Sequence, residues 1–226
     1  MVGPRAGEGR RTMSAREEIL QRVRGAVADV TTPVGQRPVA PARTMHDLSD
    51  AGALELFAER VADYRATVIR VATADVPATV ADALARLGCR SVVVPSGLDP
   101  AWTAGLDAAV TVLPEVEATS HAQLDAVDAV VTAAKVGIAV TGTIILDHGP
   151  DQGRRELTLV PDTHVCVIGA DQVVPDVPDA VARLRPEVGA AQPLTWISGP
   201  SATSDIELNR VEGVHGPRNL VVVIAE

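Results

Sequence analysis

Apolar and polar positions near the N-terminus follow the spacing of one amphipathic helix. Ser14 and Glu17 have the S-x-x-E spacing of a capping box, in which each side chain accepts a hydrogen bond from the other residue's backbone N–H. Apolar residues then recur three or four positions apart, which predicts a helix with one apolar face. These residues are Ile19, Leu20, Val23 and Val27.

A change of pattern after this helix predicts separate parts of the chain. Thr31 to Pro41 contains three prolines, which cannot continue a helix, so we expect a linker there. From His46 onward, helical and strand patterns alternate. We therefore expect a disordered tail over residues 1–13, a helix and linker over 14–45, and one domain over 46–226.

The alternation of helical and strand patterns predicts the class of the main domain. Apolar strands separated by helices are typical of a parallel sheet that is covered on both faces. We predict an α/β fold with a mixed, largely parallel sheet flanked by helices, and with the N-terminal helix as an appendage. The predicted helices lie at 54–61, 76–87 and 177–184, and the predicted strands at 67–72, 91–94, 129–131, 136–140, 142–146, 164–168, 194–197 and 220–224.

Composition and charge exclude several classes of protein. Hydrophobic residues make up 46% of the chain but aromatic residues only 2%, so small aliphatic side chains must fill the core by close packing. The net charge of −9 disfavours binding to nucleic-acid phosphates. The apolar runs are far shorter than a membrane span, and residues 1–12 lack the apolar segment of a secretory signal. We therefore expect a cytoplasmic protein with no membrane span and no nucleic-acid partner.

The cysteines and histidines lack the spacing of a metal or cluster site. The two cysteines, Cys89 and Cys166, form no CxxC pair and no iron–sulfur motif. The five histidines do not stand at spacings typical of metal ligands. The chain also contains no dinucleotide-binding GxGxxG, no P-loop and no GxSxG elbow. We therefore expect this chain to bind no metal and no cofactor of its own.

Thr141-Gly142-Thr143, between two apolar runs, is the first candidate for a binding site. Two hydroxyls and the accessible backbone of a glycine can donate hydrogen bonds to a carboxylate or a phosphate. All three residues are therefore candidate anion ligands. A tight connection between two strands is the alternative explanation of the same residues.

The loop from Asp147 to Arg155 is the second candidate, because it contains two glycines, a proline and four charged residues. Arg154 and Arg155 can hold an anionic ligand through bidentate hydrogen bonds. Asp147 and Asp151 can instead hold these arginines in ordinary ion pairs. We include Asp151, Arg154 and Arg155 among the candidate binding residues.

The segment from Ser198 to Glu207 is the third candidate, because it follows a predicted strand and is rich in hydroxyls. A Gly-Pro turn leads into residues that can begin a short helix, whose free N–H groups attract anions. Asp205 and Glu207 are candidate catalytic acid–base residues, and a capped helix with solvated acids is the alternative. The candidate anion ligands in this segment are Gly199, Ser201, Thr203 and Ser204. His215, in the later Gly-Val-His-Gly-Pro sequence, is a further candidate, and a structural role in that turn is the alternative.

Two long segments resemble one known family. Residues 142–161 read GTIILDHGPDQGRRELTLVP, and residues 193–217 read PLTWISGPSATSDIELNRVEGVHGP. Both resemble the LUD-domain proteins of the lactate-utilisation protein C family. The resemblance is strong from about residue 132 to 225 and looser over 14–131. It implies a fold like that of the ribose-5-phosphate isomerase, glucosamine-phosphate deaminase and CoA-transferase group.

The resemblance also implies a function. Family members are components of a system that oxidises L-lactate to pyruvate beside iron–sulfur partner proteins, so iron–sulfur clusters are expected on partners and a small anionic metabolite as the ligand. The family pattern has an acidic residue directly before the Thr-Gly-Thr segment, where this chain has Val140. The chain is then either a noncatalytic subunit or uses Asp205 or Glu207 instead.

Two other functions stay open. An independent small-molecule enzyme of the isomerase, CoA-transferase or cyclo-ligase type predicts turnover by the purified chain alone. A metabolite-binding regulatory subunit predicts binding without turnover, and contact with a partner through the helix at 14–29. Fold likeness alone does not separate these functions, because one fold serves many chemistries.

Overall fold

The structure is a computed structural model of the 226-residue chain. It describes residues 14–29, 48–117, 120–184, 193–203, 211–212 and 216–226, with only the backbone at 202–203 and 211–212. Contacts divide the chain into two compact units, Met1–Pro41 and Ala42–Glu226. The predicted tail at 1–13 and the whole predicted linker lie outside the described residues.

The first unit contains one described helix, α1 (Ala15–Ala26), which confirms the predicted capping box. Glu17 Oε2 accepts a hydrogen bond of 2.8 Å from Ser14 N, and Ser14 Oγ accepts one of 3.3 Å from Glu17 N. The Ser14 donors hold the pKa of Glu17 below its usual value. No residue of α1 is buried.

The second unit contains a series of alternating helices and strands. Its helices are α2 (Asp50–Asp63), α3 (Val76–Arg86), α4 (Ala101–Ala104), α5 (His121–Asp125) and α6 (Val177–Arg183), and its 3₁₀ turns are Thr73–Asp75, Arg155–Thr158 and Ala170–Gln172. Its strands are β1 (Thr67–Val71), β2 (Ser91–Val94), β3 (Thr111–Pro114), β4 (Ala129–Ala133), β5 (Val136–Ile138), β6 (Thr143–Leu146), β7 (Thr163–Gly169), β8 (Val173–Val174), β9 (Thr195–Ile197), β10 (Ala202–Thr203), β11 (Val211–Glu212) and β12 (Asn219–Ala225).

The main sheet has six strands in the order β1-β12-β7-β4-β2-β3, and every pairing in it is parallel. Alternate residues of a strand point to opposite faces. Cys166 and Ile168 of β7 pack with Phe57 of α2 on one face, while Val165 and Val167 pack in the cluster of α3 on the other. The predicted α/β fold with a largely parallel, helix-covered sheet is confirmed.

We predicted one sheet with both parallel and antiparallel strand pairs. The antiparallel pairs instead lie in a separate small sheet, with the order β8-β5-β6-β9. In it β6 runs antiparallel to β5 and β9, while β8 runs parallel to β5. The chain passes from the main sheet to the small one through Ala134 and Lys135, between β4 and β5. The apolar pattern did not reveal this division, because strands buried in either sheet have the same pattern.

Several short elements were not predicted, namely α4, α5, β3, β8, β10 and β11. The helices α4 and α5 have only four and five residues, which is too short for a helical period to be visible. Strand β3 lies at the edge of the main sheet and is largely exposed, so its residues show no buried run. Among the described residues, no helix is long and apolar enough to span a membrane.

Asp128 joins the starts of β2 and β4. Its Oδ2 accepts hydrogen bonds from Arg90 N at 2.8 Å, Ser91 N at 2.9 Å and Ser91 Oγ at 2.9 Å. The backbone N–H of Arg90 is the largest of the contacts that hold the pKa of Asp128 below its usual value. The carboxylate therefore satisfies backbone donors next to β2 from its own place before β4.

Replacing Asp128 with alanine is expected to lower the free energy of unfolding by about 1 kcal/mol, because three hydrogen bonds are lost at a position where water can partly replace the carboxylate. Urea unfolding at pH 7 measures the change. Asp125→Ala, on an exposed position of α5, removes the same charge and should change the stability by less than about 0.5 kcal/mol. Equal changes in the two variants would contradict the proposed role of Asp128.

Candidate functional site

The loop at residues 147–155 lies at the carboxyl edge of the main sheet. Pro150 O accepts a hydrogen bond of 2.8 Å from Gly97 N, in the segment that follows β2. Asp151 O accepts one of 3.0 Å from Ala133 N at the end of β4. The carboxyl edge of the strands is where α/β proteins bind ligands, and Pro150 and Asp151 lie there. Arg155, at the end of the loop, instead lines a cavity at the amino-terminal ends of β7 and β12.

His148 joins this loop to the small sheet. Its backbone has a φ of +58°, which is rare for a residue other than glycine. The ring Nδ1 lies 3.0 Å from Gly153 O and Nε2 lies 2.8 Å from Thr195 Oγ1. Because a carbonyl only accepts, Nδ1 carries the proton that is donated to Gly153 O, and Nε2 pairs with the Thr195 hydroxyl.

The two adjacent arginines of the loop have different surroundings. Arg154 is held by Glu115, whose Oε1 accepts from Arg154 N at 2.9 Å and lies 3.4 Å from its guanidinium. Arg155 is exposed, and within the described part of the chain its guanidinium has no hydrogen bond and no ion pair. Asp147 pairs with Lys135 at 3.3 Å. Neither aspartate of the loop therefore holds an arginine among the described residues.

A cavity of about 330 Å³ lies beside Arg155. It is bounded by the amino-terminal ends of β7 and β12, by the 3₁₀ turn at 155–158 and by the segment after β9. No aspartate or glutamate among the described residues lines it. Its polar lining includes Arg155, Thr158, His164, Thr195, Ser198 and Ser201.

His164 contributes a buried and uncharged ring to this cavity. Its Nε2 lies 2.8 Å from Thr132 Oγ1 on the neighbouring strand β4. The side chain is 1% exposed, and burial lowers its pKa to about 4. The ring is therefore neutral at pH 7. We did not predict this residue as part of a site, although a histidine within the apolar run of β7 was a visible signal.

Thr143 and Ser198 are brought together by the antiparallel pairing of β6 with β9. Thr143 Oγ1 lies 2.8 Å from Thr141 Oγ1 and 2.8 Å from Ser198 Oγ. The three hydroxyls form a chain, and Ser198, which lines the cavity, is its end. Thr141 and Thr143 do not line the cavity themselves.

The glycines of these two segments pack against α2. Gly142 has a φ of +57°, and a Cβ there would lie 2.7 Å from the carbonyl carbon of Arg60. Gly199 has a φ of +87°, and a Cβ there would lie 2.5 Å from Tyr64 Cβ. The two glycines therefore let the connections at both ends of the hydroxyl chain lie directly against the end of one helix.

A second cavity, of about 600 Å³, is also lined by Arg155. Its lining includes Ser96, Glu115, His148, Arg154, Arg155 and Pro193. Arg155 lines both cavities, whereas Arg154 lines only the second and is paired there with Glu115. The two cavities thus differ in charge, since the second contains a carboxylate and the described lining of the first does not.

The remaining predicted site residues are placed as follows. Asp151 contributes its backbone carbonyl to the sheet edge, as described above. Thr203 lies in β10, opposite Val211 of β11. Val140 packs against the apolar cluster of β5, β6 and α6. The candidates Ser204, Asp205, Glu207 and His215 lie outside the described residues and stay predictions.

The described residues contain no group of three or more histidine, cysteine, aspartate or glutamate side chains arranged to hold a metal ion. Hydroxyls, a guanidinium and a neutral imidazole supply the polar chemistry of the cavity beside Arg155. These groups are suited to bind a small anion by charge and hydrogen bonds.

Comparison with known proteins identifies several relatives, one of which matches nearly the whole chain. The lactate utilization protein C of Deinococcus radiodurans is 46% identical over 216 residues, which are 94% of this chain and 96% of that protein. The lactate utilization protein C of Bacillus subtilis is 33% identical over 91 residues, which are 38% of each chain.

The same family is found among solved structures. The crystal structure of a DUF162 family protein from Deinococcus radiodurans has a TM-score of 0.68 and 42% sequence identity, covering 79% of this chain and 99% of that chain. The sequence profile of the LUD domain matches residues 54–225, which include the main sheet, the small sheet and both cavities. The chain therefore belongs to the LUD-domain family.

Proposed function

We propose that this protein is a component of a lactate-utilisation system, and that it takes part in the oxidation of L-lactate to pyruvate together with iron–sulfur partner proteins. The observation that carries the proposal is the 46% identity to the lactate utilization protein C of Deinococcus radiodurans, which extends over 96% of that protein. Because the likeness covers 94% of this chain and 96% of that protein, it supports a shared role of the whole chain and not only a shared fold.

The surroundings of the two cysteines support the proposal that partner proteins, and not this chain, carry the iron–sulfur clusters. Cys89 and Cys166 are buried in clusters on opposite faces of the main sheet. Burial raises the pKa of both thiols, that of Cys166 to about 12. Iron–sulfur clusters are usually held by four cysteine thiolates, so electron-carrying clusters are better supplied by partner proteins. Free thiols also fit a reducing compartment, and we place the protein in the cytoplasm.

The cavity beside Arg155 supports the handling of an anionic metabolite. It offers one guanidinium without a partner among the described residues, several hydroxyls and no described carboxylate. Lactate and pyruvate are both small carboxylates, which such groups can hold. The cavity is therefore compatible with a subunit that binds a substrate or product of the system.

Deleting the gene is expected to abolish growth on L-lactate as the sole carbon source. The wild-type gene on a plasmid should restore that growth, and growth on pyruvate should be unchanged in all strains, because pyruvate enters metabolism after the proposed step. Doubling times on the two carbon sources measure the effect. Normal growth of the deletion strain on L-lactate, in a host with no second lactate-oxidising enzyme, would contradict the proposal.

The proposed partnership has its own test. A tagged chain purified from lactate-grown cells is expected to carry iron–sulfur proteins with it, and the eluate should reduce a dye when L-lactate is added. Elution of the chain alone from cells that grow normally on lactate would contradict a stable complex. Turnover by the chain alone would favour an independent enzyme instead.

A further inference from the structure

The adjacent residues Arg154 and Arg155 leave only one guanidinium available for a ligand. Arg154 is engaged by the carboxylate and the backbone carbonyl of Glu115. Arg155 begins the 3₁₀ turn at 155–158 and lines the cavity of about 330 Å³ without an ion pair or hydrogen bond of its guanidinium within the described chain. A guanidinium has five N–H donors in a planar fork that matches a carboxylate.

We propose that this cavity is a binding site for a small organic monocarboxylate, and that Arg155 is the counter-charge that holds the carboxylate group. The inference deepens the function proposed above by assigning a ligand class and a site to it. It rests on the proposed function only in the choice of L-lactate and pyruvate as the first compounds to test.

The charge of the lining favours an anion with a single negative charge. The chain has 29 acidic residues, yet none that the structure describes lines this cavity. His164 is neutral there, because burial lowers its pKa to about 4. Arg155 is thus the one charged side chain among the described lining residues. A phosphate dianion would keep an uncompensated negative charge, whereas a monocarboxylate is matched.

The hydroxyl chain places a second polar contact at the cavity. Thr143 bridges Thr141 and Ser198, with 2.8 Å to each hydroxyl oxygen. When Thr143 donates to Ser198, the Ser198 proton is left for an acceptor in the cavity. The Thr195 hydroxyl is already used by His148. Ser198 is therefore one hydroxyl of the lining that can contact a polar substituent of a ligand that Arg155 holds.

The size and the apolar lining limit the ligand to a small metabolite. A volume of about 330 Å³ is near the lower end of the roughly 300–1,000 Å³ that is typical of small-molecule sites. Leu159, Trp196 and Leu220 supply apolar surface for a short carbon chain. The cavity therefore suits a carboxylate of a few carbon atoms better than a nucleotide or a coenzyme.

Calorimetric titration of the purified full chain tests the site. The probes are L-lactate, pyruvate and butyrate as monocarboxylates, lactamide as an uncharged analogue of lactate, and inorganic phosphate. We expect at least one monocarboxylate to bind, and lactamide and phosphate to bind at least about tenfold more weakly, because they lack the matching charge.

Arg155→Gln is expected to weaken the binding of that monocarboxylate by about 10- to 100-fold, as expected for the loss of a charged hydrogen-bonded pair. Arg155→Lys keeps the charge but loses the planar fork, so its affinity should be intermediate. Arg86→Gln, at an exposed position in the last turn of α3, changes the net charge equally and should bind as the wild type does. Thermal unfolding of each variant confirms that it is folded.

Three results would overturn the inference: no monocarboxylate of the set binds the wild type, Arg155→Gln binds as well as the wild type, or phosphate binds more tightly than every carboxylate. None of them bears on growth of the deletion strain. Failure of the site and failure of the proposed function are therefore distinguishable, since binding is measured on the purified chain and growth in the cell.

Discussion

Replacing Gly142 with alanine is expected to lower the free energy of unfolding by about 2–4 kcal/mol, as the sum of two costs. The φ of +57° at Gly142 is in the left-handed region, which costs other residues about 1 kcal/mol or more. The added Cβ would lie 2.7 Å from the carbonyl carbon of Arg60 and 2.8 Å from Val61 N. These are backbone atoms of α2, so the helix or the turn must move.

Gly88→Ala separates the cost of a positive φ from the cost of the steric contact with α2, because it has only the first. Gly88 follows the end of α3, where Gly88 N donates to Ala85 O at 3.0 Å and Cys89 N to Leu84 O at 3.0 Å, in the pattern of a Schellman motif. Its φ is +70°, but a Cβ added there would meet no atom within 4 Å. We expect a loss of only about 1 kcal/mol there. Urea unfolding of both variants measures the difference, and equal losses would show that the contact with α2 is unimportant.

The close approach of Gly142 and Gly199 to α2 also positions the candidate site. Gly142 and Gly199 contact consecutive parts of the helix end, at Arg60–Val61 and at Tyr64. Between these glycines, the hydroxyl chain of Thr143 and Ser198 leads to the cavity beside Arg155. Movement of α2 would therefore also displace the polar groups of the cavity, so Gly142→Ala should weaken ligand binding as well as stability.

Lowering the pH from 7 to 4 is expected to destabilise the wild type by about 3 kcal/mol through His164 alone, at 1.36 kcal/mol for each pKa unit. In the folded chain burial lowers the pKa of His164 from 6.5 to about 4. The unfolded chain therefore binds a proton below about pH 6.5 that the folded chain does not bind until about pH 4. Stability is complete above pH 6.5 and falls progressively between these two values.

His164→Gln tests this origin of the pH dependence, because glutamine can still bond Thr132 but does not titrate. Urea unfolding at several pH values between 7.5 and 4.5 should give a smaller loss of stability for this variant than for the wild type. His121→Gln, at an exposed position of α5, should keep the wild-type dependence. Parallel curves for the wild type and His164→Gln would contradict the assignment.

Long periodic segments were predictable from local spacing. The capping box of Ser14 and Glu17 and the helices α2 and α3 were visible in the sequence, because a helix repeats every 3.6 residues and begins at recognisable capping residues. The buried strands of the main sheet were visible as apolar runs. The exposed edge strand β3 and the two-residue strands were not, since they bury too little to leave a pattern.

The candidate site was predictable in its segments but not in its contacts. The segments around Thr143, Arg155 and Ser198 were selected for their glycines and hydroxyls. The difference between Arg154 and Arg155 depends on Glu115, which lies 39 positions earlier in the chain at the end of β3. His164 and Thr132 meet only because β4 and β7 pair side by side. A pattern of neighbouring residues does not show contacts between positions so far apart in the chain.

By itself the sequence determined the class of the fold, the positions of the long helices, the family and the segments where polar groups collect, because each of these follows from local spacing or from a long unbroken motif. Only the tertiary structure decided which strands share a sheet, which arginine keeps a free guanidinium among the described residues and which histidine is buried neutral. The reason is physical: the pairing of strands and the partner of a charge depend on residues far apart in the chain, which come into contact only when the core forms.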